Sequence, residues 1–324
     1  MGTVKKSRKV VITGAGDVGA SFAYALMQAG LAEDIALVDL NADLVQGQVL
    51  DLAHGMPFVP PVTIRGGTTD DYADATVIVI TAGAKQQPGE SRLALVNRNA
   101  AIVAGIVDDI VAHDSQAVMV MVSNPVDILT TVALRRSGWP RNRIIGSGTV
   151  LDSARFRYLL SRHCGVDVRN VHAYILGEHG DSEVAAWSMT HVAGMPIADY
   201  CVICGRCAGW QEAKDDIVRQ VRESAYHIIG YKGATCYAIG LALLRIVGAI
   251  LRNEHSVLAV STLLEGEFGI VGVCLSVPAL VGADGLERIV SGKLAASEAK
   301  ALSASAAVLQ NTLRSVDPQW TSPP

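Results

Sequence analysis

Nothing in this chain constrains folding more than its first ordered stretch. An apolar run, Val10-Val11-Ile12-Thr13, is cut by Gly14-Ala15-Gly16-Asp17-Val18-Gly19 and followed by a helical pattern through Phe22, Ala23, Leu26 and Met27 to Gly30. A second apolar run, Ile35-Ala36-Leu37-Val38, ends in Asp39, 20 residues beyond Gly19. A lone G-x-G-x-x-G is common by chance; between a strand and a helix, with an acid at that distance, it specifies a dinucleotide-binding unit. Each part has a mechanical reason. Gly14 permits a tight turn, Gly16 lets the backbone approach a pyrophosphate, and Gly19 lets helix and strand pack closely, while the helix N-terminus offers free N–H groups to phosphate. Asp39 accepts hydrogen bonds from both ribose hydroxyls and its charge repels a 2′-phosphate, so NAD is favoured over NADP. Its other reading is a cap for the helix beginning near Asn41.

Further strand-like runs follow at 62–64, 76–80, 118–122 and 143–145, with helical patterns at 41–53, 92–113 and 126–137. This alternation predicts an α/β fold, a doubly wound parallel sheet whose ligands bind at the carboxyl ends of the strands. Those ends are Gly14, Asp39, Thr81-Ala82-Gly83 and Ser123-Asn124. After Gly146 the pattern changes to a helix at 150–163, strands around 168–176 and 185–203, helices at 209–227 and 232–252, a hairpin region at 256–277 and a helix at 296–315. Residues 1–147 therefore read as a cofactor domain and 148–324 as an α+β substrate domain, the 232–252 helix packing back onto the first.

The formal charge of -4 gives no electrostatic reason to expect nucleic acid or an anionic membrane as a partner. The locally basic run Lys5-Lys6-Ser7-Arg8-Lys9 reads as a solvated terminus, since no apolar region and cleavage site follow it. Residues 233–251 are apolar apart from Arg245, which at a bilayer centre costs about 2.5–3.5 kcal/mol, so a buried helix is expected there. Cys201, Cys204 and Cys207 have two-residue gaps that resemble iron-sulfur spacing, but a fourth nearby thiolate is missing. Reduced thiols and no metal are expected.

Chemistry is expected at Gly177-Glu178-His179-Gly180-Asp181-Ser182, where a histidine between glycines follows a strand. An imidazole tuned by a carboxylate shuttles protons near neutral pH. Taken alone, such a histidine is more often a turn residue than a catalyst. Asp152 and Arg155, three apart on a helix, share one face. They form either a surface pair or, facing the crevice, an orienting partner for His179 and a two-pronged carboxylate ligand. The loop from Gly83 to Arg92 has the composition of a lid, with Arg92 as the charge it brings in. Asn124 either contacts substrate or caps the next helix.

Assembled in order, GAGDVG, the Asp39 strand end, TAGAKQQPGESRLALVNRN, VSNPVD, GTVLDSARFR, GEHGDS and KGATCYAIG resemble the bacterial-type L-lactate dehydrogenases of the lactate/malate dehydrogenase family, from about Lys9 to Val316. The resemblance implies hydride transfer between a nicotinamide and a 2-oxo or 2-hydroxy acid. It implies His179 as proton donor and acceptor, Asp152 as its partner, Arg92 polarising the carbonyl, Arg155 binding the carboxylate, Asn124 positioning carbonyl and nicotinamide, and Thr235 lining the pocket. Val18, Gly83 and Ala84 join Gly14, Gly16, Gly19, Asp39 and Asn124 in contacting NAD.

Gln86 stands where an Arg of malate enzymes would pair with a second carboxylate; a neutral side chain there favours pyruvate and L-lactate. Arg157 and His172 match the phosphate-binding residues of fructose 1,6-bisphosphate-activated members, at a subunit interface. A cytoplasmic homotetramer is implied. A malate dehydrogenase, and a silent NAD(H)-binding protein, are the competing readings.

Overall fold

The computed structural model describes residues 8–85, 89–206, 209–316 and 318–321. In its first half, strands β1 (Lys9–Thr13), β2 (Asp34–Val38), β3 (Thr63–Gly66), β4 (Val77–Ile80), β5 (Val118–Met121) and β6 (Ile144–Gly146) alternate with helices α1 (Asp17–Ala29), α2 (Ala42–His54), α3 (Arg92–Ala112) and α4 (Val126–Ser137). The strands pair in parallel in the order β3-β2-β1-β4-β5-β6. The residues of the inner strands are buried on both faces, as at Val10–Ile12 and Val77–Ile80, which is why they appear in the sequence as unbroken apolar runs.

Helix α5 (Val150–Cys164) leads into short strands β7 (Val171–His172), β8 (Ile175–Leu176), β9 (Val184–Ala185), β10 (His191–Val192) and β11 (Met195–Pro196). Then come helices α6 (Ile197–Cys204), α7 (Trp210–Lys232) and α8 (Tyr237–Leu251), strands β12 (Ser256–Glu265), β13 (Val271–Gly282) and β14 (Gly285–Ile289), and helices α9 (Ala296–Ser315) and α10 (Pro318–Thr321). The β12–β14 meander extends the edge of the parallel sheet, β12 lying antiparallel to β6 with Ser261 opposite Gly146, so nine of the described strands form one sheet. Sequence reading did not foresee this continuity. Gly146 makes it possible: a Cβ there would lie 2.5 Å from Thr130 Oγ1 and 2.8 Å from Ser261 Cβ.

Three local expectations need correction. Residues 197–203, expected as strand, are helical, part of α6, because Ile197 and Cys201 are buried four apart while Val202 and Ile203 face outward. Cys201 and Cys204 therefore lie one turn apart on α6, and Cys207 falls outside the described residues. Second, α7 continues to Lys232 and stops at Gly233, whose φ of +83° is left-handed, so α8 begins only at Tyr237. Helix α8 packs on α1, with Gly240 tight against the Ser21 carbonyl, and no described helix is long and apolar enough to cross a membrane.

Third, the basic run is not simply a solvated tail. Lys9 is 5 % exposed inside β1, its Nζ 2.7 Å from Asp71 and 2.5 Å from Asp74, and Arg8 pairs with Glu33 at 2.9 Å. Burial lowers the Lys9 pKa, but the bonds to Asp71 and Asp74 outweigh it and leave the ammonium above its ordinary value.

Candidate active site

The glycine turn has the shape a dinucleotide requires. Gly14 adopts φ +111°, where a Cβ would strike Ala82 N at 2.5 Å, and a Cβ on Gly19 would sit 1.9 Å from the Gly14 carbonyl oxygen. Above Gly16 nothing lies within 4 Å of a would-be Cβ, so the backbone is open to a bulky anion at the start of α1. Val18 lies in the first turn of α1. Asp39, at the end of β2, holds the turn by accepting from Ala15 N–H at 2.8 Å and from Asn41 N–H at 3.0 Å. It is Asn41 that caps α2, accepting from Leu44 N–H. A dinucleotide fits this cradle.

The crevice continues across the ends of β4 and β5 through a residue that sequence reading missed. Asn99, buried on α3, accepts from Ala84 N–H at 2.8 Å and donates to the Asn124 carbonyl at 2.9 Å. It ties the Gly83-Ala84 turn to Asn124, and its one signal was a polar residue on the apolar face of Val96, Ala100 and Val103. The loop that follows is anchored to α3: Arg98 donates to the Lys85 carbonyl and pairs with Glu90 at 2.8 Å. Gln86 lies outside the described residues.

His179 is held by its backbone before its ring is used. Gly177 exchanges two 2.9 Å backbone hydrogen bonds with Ser276 of β13, and Glu178 N–H donates to Ser305 of α9 at 2.8 Å. His179 N–H donates to Asp127 Oδ2 at 2.8 Å, and the other Asp127 oxygen accepts from Ser261 of β12 at 2.6 Å. The edge extension of the sheet is thus what aims the histidine loop. Asp127 was visible only as an acid in the first turn of α4; its long-range partners were not. Burial pushes its carboxyl up to about 6, against the pull of its two hydrogen bonds.

Nδ1 of His179 lies 2.5 Å from Asp152 Oδ2, and Arg155 Nη1 donates to Asp152 Oδ1 at 2.6 Å. Of the alternatives open for Asp152 and Arg155, the surface pair is not the one observed: their side chains are 3 % and 14 % exposed. Burial lowers the pKa of the His179 ring, but the adjacent Asp152 carboxylate more than reverses this and lifts it to about 9. Burial likewise raises Asp152, yet the ring and guanidinium together hold it below the ordinary carboxylate value.

These groups open onto a cavity of about 420 Å³ that also presents Arg92, the first residue of α3, together with Asn124, Glu183, Arg222 and Tyr226. Arg92, Asn124, Asp152, Arg155 and His179 are therefore brought together from four separate elements. Thr235 is not among the residues lining this cavity. It borders a second one between α5, α7 and α8, with Arg155 on the shared wall, because Gly233 ends α7 and turns the following segment aside. Arg157 and His172 lie away from the cavity: Arg157 Nε donates to the Val171 carbonyl at 2.7 Å, and exposed His172 faces His191 across the β7–β10 pair.

Comparison with known proteins agrees along nearly all of the chain. Residues 8–146 match the family described as lactate/malate dehydrogenase, NAD binding domain, and residues 149–318 its alpha/beta C-terminal domain. An L-lactate dehydrogenase of Treponema denticola is 59% identical over 304 residues, covering 93% of this chain and 96% of that one. One from Acetivibrio thermocellus is 50% identical over 317 residues, covering 98% and 100%. The ligand-bound crystal structure of the minor L-lactate dehydrogenase of Enterococcus mundtii superposes with a TM-score of 0.93 at 42% identity, covering 97% and 99%.

Proposed function

Because the chain belongs to the lactate/malate dehydrogenase family, we propose that it catalyses reversible reduction of pyruvate to L-lactate with NADH. One observation carries the reading: a histidine at 2.5 Å from a buried aspartate faces the same cavity as three arginines, Arg92, Arg155 and Arg222. Gly14, Gly16, Val18, Gly19, Asp39, Gly83, Ala84 and Asn124 would hold NADH, which when bound would supply the hydride. His179 delivers its Nε2 proton to the substrate oxygen while Asp152 holds the ring in one orientation and stabilises its cationic form. Arg155 grips the substrate carboxylate, Arg92 meets the negative charge developing on oxygen, and Asn124 positions the carbonyl. Such cationic donors act strongly where water is excluded. In this assignment residues 1–147 bind cofactor and residues 148–324 supply the proton donor.

Pyruvate is assigned over oxaloacetate because Gln86 offers no charge to a second carboxylate. We also assign Arg157 and His172 to a phosphate group of fructose 1,6-bisphosphate, at an interface of a cytoplasmic homotetramer. Self-association has apolar surface to cover: Tyr24, Tyr237 and Leu241, between 57 % and 74 % exposed, line one cavity between α1 and α8. Loss of NADH absorbance on adding pyruvate, but far less on adding oxaloacetate, tests the central reading. Loss with oxaloacetate alone would favour a malate enzyme, and no loss with either would favour a silent cofactor binder.

A further inference from the structure

Glu183 lies four residues after His179 and lines the same cavity, yet the chemistry above gives it no task. It is 4 % exposed, and its Oε1 is enclosed without a hydrogen-bond partner. Its backbone is fixed on both sides, the N–H donating to the Gly180 carbonyl at 3.1 Å and the carbonyl accepting from Arg222 Nη2 at 2.9 Å. From α5 it is faced by Asp152 and Arg155, and from α7 by Arg222 and Tyr226. Arg92 of α3 and its own loop's His179 and Asp181 complete the charged lining. An enclosed carboxylate oxygen with no donor is far less stable than the neutral acid.

We propose that Glu183 controls the charge of the substrate pocket: protonated, it leaves room for a small monoanion; ionised, it adds a second buried negative charge beside Asp152 and opposes the substrate carboxylate. This rests on His179 being the proton donor to a 2-oxo acid. Substrate binding then needs two protons in place, one on His179 and one on Glu183. Burial first, then the charge of Asp152, pushes the Glu183 carboxyl up to about 8, with His179, Arg222 and Arg155 pulling the other way. The switch therefore falls just above neutral pH.

The test is proton uptake when oxamate, the amide isostere of pyruvate, binds the NADH complex at pH 9, read by calorimetry in buffers of different ionisation enthalpy. Groups titrating at about 8 and about 9 together take up about 1.4 protons per site, and Glu183→Gln, which leaves only the histidine, about 0.5. In parallel, log KM for pyruvate against pH should approach a slope of two in the wild type and one in Glu183→Gln. Wild-type uptake below one proton, or a variant indistinguishable from wild type, overturns the proposal; if the variant does not fold, wild-type uptake alone decides. Failure of pyruvate to oxidise NADH at pH 7 would sink the parent reading and this one with it, whereas turnover with single-proton binding overturns this one only.

Discussion

An imidazole beside a buried aspartate feels two opposed effects, desolvation that favours the neutral ring and a carboxylate that favours the cation. At 2.5 Å the second wins, and His179 titrates at about 9. Pyruvate reduction needs the protonated ring, so kcat/KM for pyruvate in Glu183→Gln should fall as pH rises through about 9, the wild-type fall beginning earlier, near 8, where Glu183 ionises. In Asp152→Asn the two largest raising causes are gone and only the weaker charge of Asp127 is left against burial, so the fall should move below pH 7. The lost protonated fraction alone costs about tenfold at pH 7.5, and loss of ring orientation deepens the effect; a pH–rate profile unmoved by this substitution would remove Asp152 from its role. Gln86→Arg is the complementary test of specificity. Its guanidinium should raise kcat/KM for oxaloacetate relative to pyruvate by about tenfold to a hundredfold, the worth of one hydrogen bond to a charged group, measured with the two acids in parallel.

Two elements carry the site through residues that do not themselves touch substrate. The β12–β13 hairpin supplies Ser261 to Asp127 and Ser276 to Gly177, so its docking against β6 sets where His179 sits. Gly146→Ala would push a methyl group into Thr130 and Ser261. Overpacking of this kind costs about 1–3 kcal/mol, and the urea midpoint should drop accordingly, with kcat falling further than KM rises because the histidine loop shifts with the hairpin. Unchanged stability would mean that the sheet edge yields without cost. The second element is α3, whose buried Asn99 joins two strand ends. Its companions Val96, Ala100 and Val103 were readable from helical period, but a buried amide reads as an interruption until its partners are known.

The proposed activation by a sugar bisphosphate belongs to the scale of the assembled molecule. In the proposed assignment Arg157 and the exposed His172 lie outside the cavity that holds the proton donor, so an effector bound there would act by favouring one arrangement of subunits. Pyruvate saturation curves at pH 7 should move to lower half-saturation when fructose 1,6-bisphosphate is added, and Arg157→Gln should abolish that movement. Superimposable curves for the wild type would withdraw the effector assignment and leave the catalytic one intact.

By itself the order of residues determined the strands and helices of the parallel half of the fold, the cofactor turn and the acid at the end of β2, because each depends on local neighbours and on periodicities of strand and helix. It also named His179, Asp152, Arg155 and Arg92, through several short motifs read together. Tertiary structure alone decided that β12–β14 join the same sheet, that Asp127 and Asn99 serve as anchors, that Thr235 borders a neighbouring cavity, and that Glu183 is sealed in beside the reacting groups. Those facts depend on contacts between residues as far as 134 apart, as for Ser261 and Asp127. An acid buried without a donor looks, in one dimension, the same as an acid in water.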